Sequence, residues 1–161
     1  MILIGLGANL PSPAGPPAAT LSGALGRLEQ CGIAVLAVSS FYRTPAWPDP
    51  SEPPFVNAVA SIATRLQPAE LLALLHDVEA GFGRERGRAN APRSLDLDLL
   101  DYDGRILASE IVLPHPRMAE RSFVLAPLAE IAPGWQHPLT RQSAGEMLAN
   151  LPDRDTPKKL A

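Results

Sequence analysis

Apolar and polar positions along this chain predict a β-α-β-β-α-β order. Residues 2 to 8 are a continuous apolar run, as in a strand buried on both faces. A proline-rich stretch from 11 to 17 follows, then a helical pattern from about 17 to 30 with Leu21, Leu25 and Leu28 on one face. Residues 33 to 43, rich in Val, Ile and aromatic side chains, read as a second strand ending at Arg43-Thr44-Pro45. The segment from Thr44 to Pro54 carries five prolines and Trp47, so it is a stiffened loop rather than a central strand, and long loops of this kind often carry function. A third strand spans about 54 to 64. It places Phe55 and Asn57 on one face, an aromatic plate beside an amide; core packing for Phe55 and a strand edge for Asn57 is the plainer alternative. Gln67-Pro68-Ala69-Glu70 opens a second helix through Leu71, Leu72, Leu75 and Val78, closing near Gly81 and Gly83. His76 and Glu79 lie three apart on it, a spacing that by itself reads as surface.

The stretch Pro92-Arg93-Ser94-Leu95-Asp96-Leu97-Asp98-Leu99-Leu100 makes the last strand of this order. Alternation puts Leu95, Leu97 and Leu99 on one face and Asp96 and Asp98 on the other. Two residues of strand separate the aspartate Cα atoms by about 6.8 Å, a distance at which like charges repel by about 0.6 kcal/mol in water and about 2.4 at an effective dielectric of 20. Aspartate is also depleted in strands, so the pair suits a divalent cation, with a merely wetted strand face as the alternative. A turn at Asp101-Tyr102-Asp103-Gly104 follows. The Pro-braced segment Leu113 to Phe123, with His115 between two prolines, enters a helix through about 130; residues 142 to 151 suit a last helix, and the tail from Pro152 is expected to fray. The order matches a split βαβ, ferredoxin-like α+β fold, an antiparallel sheet with helices on one face and further C-terminal helices.

At 161 residues the chain fits one domain with a sizeable core. No internal repeat or linker divides it. The single cysteine, Cys31, reads as a small core hydrophobe in a reducing compartment. The apolar N-terminus lacks a basic flank and no apolar run is long enough to span a bilayer, so a cytoplasmic protein without a membrane partner is expected. A net charge of −3 and a pI of about 5.6 argue against a broad nucleic-acid surface. Locally, Arg84, Arg86, Arg88 and Arg93 crowd before the aspartates, and the only lysines are Lys158 and Lys159. A Walker-type phosphate loop is therefore absent, and any polyphosphate would be neutralised by arginine and metal. Gly5-Leu6-Gly7-Ala8-Asn9-Leu10 begins like a dinucleotide loop, but Leu10 stands at the third glycine position, so a tight exit from the strand is expected.

With these blocks in order, the chain resembles the 6-hydroxymethyl-7,8-dihydropterin pyrophosphokinase family nearly end to end. The resemblance is carried by Gly5 to Leu10, Ser39-Ser40-Phe41-Tyr42-Arg43-Thr44-Pro45, Phe55-Val56-Asn57-Ala58, Pro92 to Leu100, and Leu113-Pro114-His115-Pro116 through Phe123-Val124-Leu125. It implies transfer of pyrophosphate from ATP to the pterin hydroxyl, with AMP as the second product. Asp96 and Asp98 would hold two magnesium ions bridging the ATP phosphates, as magnesium favours one or two carboxylates plus phosphate oxygens and water. Arg84 and Arg93 would act with them in catalysis. Phe55 and Phe123 would sandwich the pterin, while Thr44, Pro45 and Asn57 read its amide-like edge. Glu79, Arg84, Arg88, Arg93, Leu99, His115 and Arg121 would bind or support the nucleotide.

The reaction implied is in-line attack on the β-phosphorus, helped mainly by positioning and charge stabilisation. Asp98 would orient the hydroxyl or accept its proton. The family usually has a basic residue four positions before Arg93; here it is Ala89, with Arg88 one step earlier and Asn90 where some members carry a large aromatic. Which loop arginine closes over ATP stays open. A monomer is expected. The competing classes are an RNA-binding module, which would need stacking aromatics and a basic face, and a non-catalytic small-molecule-binding domain.

Overall fold

The computed structural model describes residues 1–46, 48–83, 93–152 and 156–160. Its order is β1 (Ile2–Ala8), α1 (Pro17–Gln30), β2 (Ala34–Val38), β3 (Tyr42–Thr44), β4 (Phe55–Ala63), α2 (Pro68–Gly81) and β5 (Asp96–Tyr102). There follow β6 (Leu107–Ala108), β7 (Val112–Leu113), a 3-10 turn at Met118–Glu120, α3 (Ser122–Ile131), α4 (Ala144–Ala149) and β8 (Lys158–Lys159). The main sheet runs β5-β1-β4-β3-β8, with β2 also on β4. Every pairing in it is antiparallel, and β6 and β7 form a separate hairpin. No helix among the described residues is long and apolar enough to cross a membrane.

The strand expected over 33 to 43 is two strands, β2 and β3, laid one after the other along β4. Ser39 makes the break: its N–H donates to the Val59 carbonyl at 2.9 Å, and its Oγ accepts the Val59 N–H at 3.0 Å. A side chain thus replaces a ladder acceptor, and the chain kinks without orphaning a buried amide.

Alternation divides the sheet into two faces. Ile2, Ile4 and Leu6 of β1, Val56, Ala58, Ala60 and Ile62 of β4, and Leu97 and Leu99 of β5 pack with Leu21 and Leu28 of α1 and Leu71, Leu75 and Val78 of α2. Each fully buried leucine contributes about 1.5–3 kcal/mol of transfer free energy. On the opposite face Leu3, Val59 and Leu100 meet Val124, Leu125 and Leu128 of α3, Met147 of α4 and Trp135. The C-terminal helices therefore cover only part of that second face.

Helix ends follow local chemistry. Pro68 stands in the first turn of α2, and Gln67 and Glu70 cap each other's backbone amides. Cys31, expected in the core, instead caps the end of α1, partly exposed before Gly32 at φ 86°. Of the tail expected to fray, residues 158 to 160 are held: Lys158 and Lys159 pair with Arg43 and Tyr42 of β3, and Leu160 N–H donates to the Phe41 carbonyl at 2.8 Å. The unpaired edge of β3 supplies the hydrogen bonds that order them.

Candidate active site

The uncovered part of the second face begins at two glycines. Gly7 pairs with Asn57 of β4 on one side and Asp96 of β5 on the other, and Gly5 pairs with Asp98. Paired residues share a face, so Asn57, Asp96 and Asp98 stand around a strip bare of side chains. A Cβ at Gly7 would lie 2.7 Å from Asn57 Oδ1, inside van der Waals contact. The glycines thus lie within β1 rather than at its exit; they serve clearance, not a turn. The Asn57 amide is oriented by its Nδ2, which donates to Thr44 Oγ1 at 2.9 Å, both side chains being buried.

Each aspartate meets one arginine. Arg93 Nη1 is 3.2 Å from Asp96 Oδ2, and Arg121 Nη1 is 3.5 Å from Asp98 Oδ2. Burial, then the negative charge of Asp96, pushes the Asp98 carboxyl up to about 7 against the pull of Arg121. Burial and a like charge alongside both disfavour the ionised form of a carboxyl. Arg93 is fixed through its backbone: its N–H donates to Asn9 Oδ1 at 2.8 Å, and its carbonyl accepts the Asn9 N–H at 3.1 Å. Asn9 Nδ2 reaches the Pro53 carbonyl at 3.0 Å, so one buried amide ties the proline-rich loop to the start of β5. Behind the strand, Glu79 of α2 is only 3% exposed, and its Oε1 accepts the Leu97 N–H at 3.0 Å. The surface reading of Glu79 is therefore wrong: it braces the peptide between the aspartates.

Phe55 of β4 and Phe123 of α3 line the same cavity, of about 320 Å³, together with Thr44, Pro45, Asn57, Arg93, Asp96, Asp98 and Arg121. One half is aromatic and amide-lined, the other charged. Arg121 is the N-cap of α3, its guanidinium 5.6 Å from the Phe123 ring centroid, so it borders both halves. His115 stands beside the cavity, its N–H donating to the Leu100 carbonyl at 2.8 Å. Its Nδ1 accepts the Arg117 N–H at 3.2 Å, which leaves Nε2 to carry the ring proton. Burial, then Arg121, drives its pKa down to about 4; it is a neutral donor near pH 7.

The 7,8-dihydro-6-hydroxymethylpterin-pyrophosphokinase family model matches residues 3–133. The chain belongs to this family. It is 46% identical over 132 residues, 81% of each chain, to a 2-amino-4-hydroxy-6-hydroxymethyldihydropteridine pyrophosphokinase of Methylorubrum extorquens. A protein of the same name from Synechocystis is 43% identical over 138 residues, 84% of this chain and 68% of that one. The folic acid synthesis protein fol1 of Pneumocystis carinii is 36% identical over 155 residues, 96% of this chain and 20% of that larger protein.

Of the residues expected from the pyrophosphokinase resemblance, Thr44, Pro45, Phe55, Asn57, Arg93, Asp96, Asp98, Arg121 and Phe123 converge on one cavity. Glu79 supports it from behind. Leu99 does not line it; its side chain is in the core beneath β5. Arg84 and Arg88, with Ala89 and Asn90, lie outside the described residues. The cavity also includes Arg117, Glu120 and Ser122, for which the sequence reading gave no role. Nothing in the local pattern marks them: Arg117 and Glu120 flank or end a short 3-10 turn, which carries no helical periodicity to read.

Proposed function

We infer that the protein transfers pyrophosphate from ATP to 6-hydroxymethyl-7,8-dihydropterin, giving AMP and the pterin diphosphate for folate synthesis. The observation that carries this reading is the division of one cavity: Phe55, Phe123, Asn57 and Thr44 on one side, Asp96, Asp98, Arg93 and Arg121 on the other. A flat amide-edged ring suits the first, with its faces on the phenylalanines and its polar edge on buried hydrogen-bonding groups. A magnesium triphosphate suits the second.

Asp96 and Asp98 would hold magnesium. The donor set fits: two carboxylates share a face, burial and the charge of Asp96 hold the Asp98 carboxyl up despite the pull of Arg121, and no third His, Cys, Asp or Glu among the described residues completes an all-protein cage. Magnesium commonly accepts such a partial set and fills its shell with phosphate oxygens and water, where it neutralises phosphate charge. Arg93 and Arg121, each within reach of an aspartate, contribute the fixed cations that phosphate oxygens accept. His115 offers an Nε2–H donor without adding charge.

In the transfer the pterin hydroxyl oxygen forms a bond to the β-phosphorus while the bond from that phosphorus to the α-phosphate oxygen breaks. AMP leaves with that oxygen, and the hydroxyl proton is released. The chain's contribution is orientation: the ring half fixes the nucleophile and the charged half fixes the triphosphate, so bimolecular entropy is lost on binding rather than at the transition state. Asp98 orients the hydroxyl or takes its proton. The order β1-α1-β2/β3-β4-α2-β5 supports a ferredoxin-like classification, and the single, unpaired Cys31 agrees with a cytoplasmic setting. We expect a monomer.

Phosphorus NMR of ATP, magnesium and the hydroxymethyl dihydropterin tests the reading. Appearance of AMP and a pterin diphosphate is the expected result; ADP, or no turnover, overturns it.

A further inference from the structure

Beyond the cavity, Glu130 near the end of α3 gathers donors from three other segments. Its Oε1 accepts the Ser40 N–H at 2.9 Å and the Ser40 hydroxyl at 2.7 Å. Its Oε2 accepts the Tyr42 hydroxyl at 2.5 Å and lies 3.7 Å from Lys159 Nζ of β8. That ammonium also sits 5.9 Å from the Tyr42 ring centroid. Burial, then the bond to Glu130, pushes the Tyr42 phenol up to about 12, so it stays a donor at any physiological pH. Burial opposes ionisation of Glu130, yet the bonds from Tyr42 and Ser40 outweigh it and hold the carboxyl below its ordinary value. Charge-assisted bonds of this kind are about twice as strong as neutral ones.

What these contacts join gives them a role. Arg121 and Phe123 at the start of α3 line the cavity, and Glu130 follows Arg121 by about 13 Å of helix. Tyr42 opens β3, and Thr44, two residues on and on the same face, receives the Asn57 amide. Thr44 in turn pairs with Phe55. The Glu130 carboxylate therefore clamps the helix bearing Phe123 to the strand bearing Thr44, at the end of the helix away from the cavity. Asp96 and Asp98 lie on β5, beyond β1 from all of this.

We propose that Glu130 is a positioning residue for the ring half of the cavity, setting the gap between Phe123 and the Thr44, Asn57 and Phe55 wall by pinning α3 to β3. The C-terminal strand β8 completes the clamp through Lys159. The inference rests on the pterin reading above for the ligand of that half. Loosening the clamp widens the ring slot, whereas Asp96 and Asp98 on β5 and Arg93, tied through its backbone to Asn9, keep their places. Arg121 alone of the charged half moves with α3, so the pterin responds more strongly than the nucleotide.

The test is equilibrium binding of 6-hydroxymethylpterin, followed by its ring fluorescence, alongside binding of a fluorescent ATP analogue with magnesium and thermal melting. Glu130→Ala is expected to lose about tenfold in pterin affinity while nucleotide affinity stays within about twofold. Glu130→Gln keeps a carbonyl for Ser40 and recovers part of the loss. Tyr42→Phe removes one bond and is expected to cost about threefold in pterin affinity, carrying the test where Glu130→Ala does not fold. Pterin affinity unchanged in folded variants, or equal loss of both ligands, overturns the inference alone. Wild-type protein that binds no pterin overturns the functional reading and the inference with it.

Discussion

Gly7→Ala tests whether the bare strip on β1 exists for the amide that crosses it. The added methyl would sit 2.7 Å from Asn57 Oδ1, about 0.5 Å or more closer than carbon and oxygen tolerate, on the steep side of the van der Waals wall. The backbone at Gly7 cannot yield easily, being paired on both sides. Asn57 must turn, and turning breaks the 2.9 Å bond to Thr44 in a buried setting. Leaving such groups unsatisfied costs about 1–3 kcal/mol, against a gain of about 0.5–1 kcal/mol for replacing a strand glycine by alanine. The net is about 1 kcal/mol of lost stability, or about 2–4 °C in melting temperature at this chain length. Pterin affinity falls about 5- to 100-fold, because a ring edge matched to that amide meets a misdirected one. Gly5→Ala is the control: its Cβ would meet Leu100 at 3.6 Å and Asp98 Cβ at 3.8 Å, ordinary contact, so melting temperature holds or rises and pterin binding persists. Calorimetric melting and titration with the pterin read both quantities. If the two variants behave alike, the clearance argument is wrong.

Asp98→Asn should abolish turnover while sparing pterin binding; equal loss of both counts against the metal assignment. The same variant has a stability signature. Folding raises the Asp98 pKa from 3.8 to about 7, so its contribution to stability is fully present below about pH 4 and lost as pH rises through about 7. Without magnesium, Asp98→Asn is therefore expected to melt higher than wild type at about pH 8, by about 1–2 kcal/mol once the solvent screening of a side chain 31% exposed is allowed for. The gain should vanish near pH 4, and a gain that is flat with pH refutes the account. Arg117 lines the cavity with Arg93 and Arg121, but only the latter two face aspartates. Arg117→Ala is expected to raise the KM for ATP about 5- to 30-fold with that for the pterin unchanged, the loss of one charge-assisted contact; an unaltered KM for ATP returns Arg117 to the solvent.

The parts of this architecture legible in the sequence are those set by local periodicity. Alternation on β5 separated Leu97 and Leu99 from Asp96 and Asp98, and helical spacing found Leu21, Leu28, Leu71 and Leu75, all of them core. Contacts between distant segments carry no such period. Ser40 and Glu130 are 90 residues apart, and nothing local to either announces the other. Glu79 illustrates the same limit: its spacing from His76 suggested solvent, whereas its partner is a backbone N–H on another element. The glycines were misread for a related reason, since a glycine needed for clearance looks the same in sequence as one needed for a turn.

Alternation itself fails at one point, and the failure builds part of the site. The register of β1 against β5 steps between Leu3 and Ile4, whose partners are Asp101 and Leu99, leaving Leu100 as the extra residue of a bulge. Up to Leu99 the odd positions face α1 and α2; beyond the bulge Tyr102 takes that face instead. Leu100 and Asp101 therefore both serve the C-terminal side, Leu100 in the second core and Asp101 accepting the Trp135 Nε1–H at 2.8 Å. The Leu100 carbonyl, unable to join the regular ladder, accepts the His115 N–H at 2.8 Å. One inserted residue thus anchors the segment that delivers His115, Arg117 and Arg121 beside the aspartates, while Trp135 and Asp101 secure the chain beyond α3. Without the bulge Asp101 would point into the apolar core under α1 and α2, a placement too costly for an unpaired carboxylate, so the step in register is required by Asp101 as much as by His115.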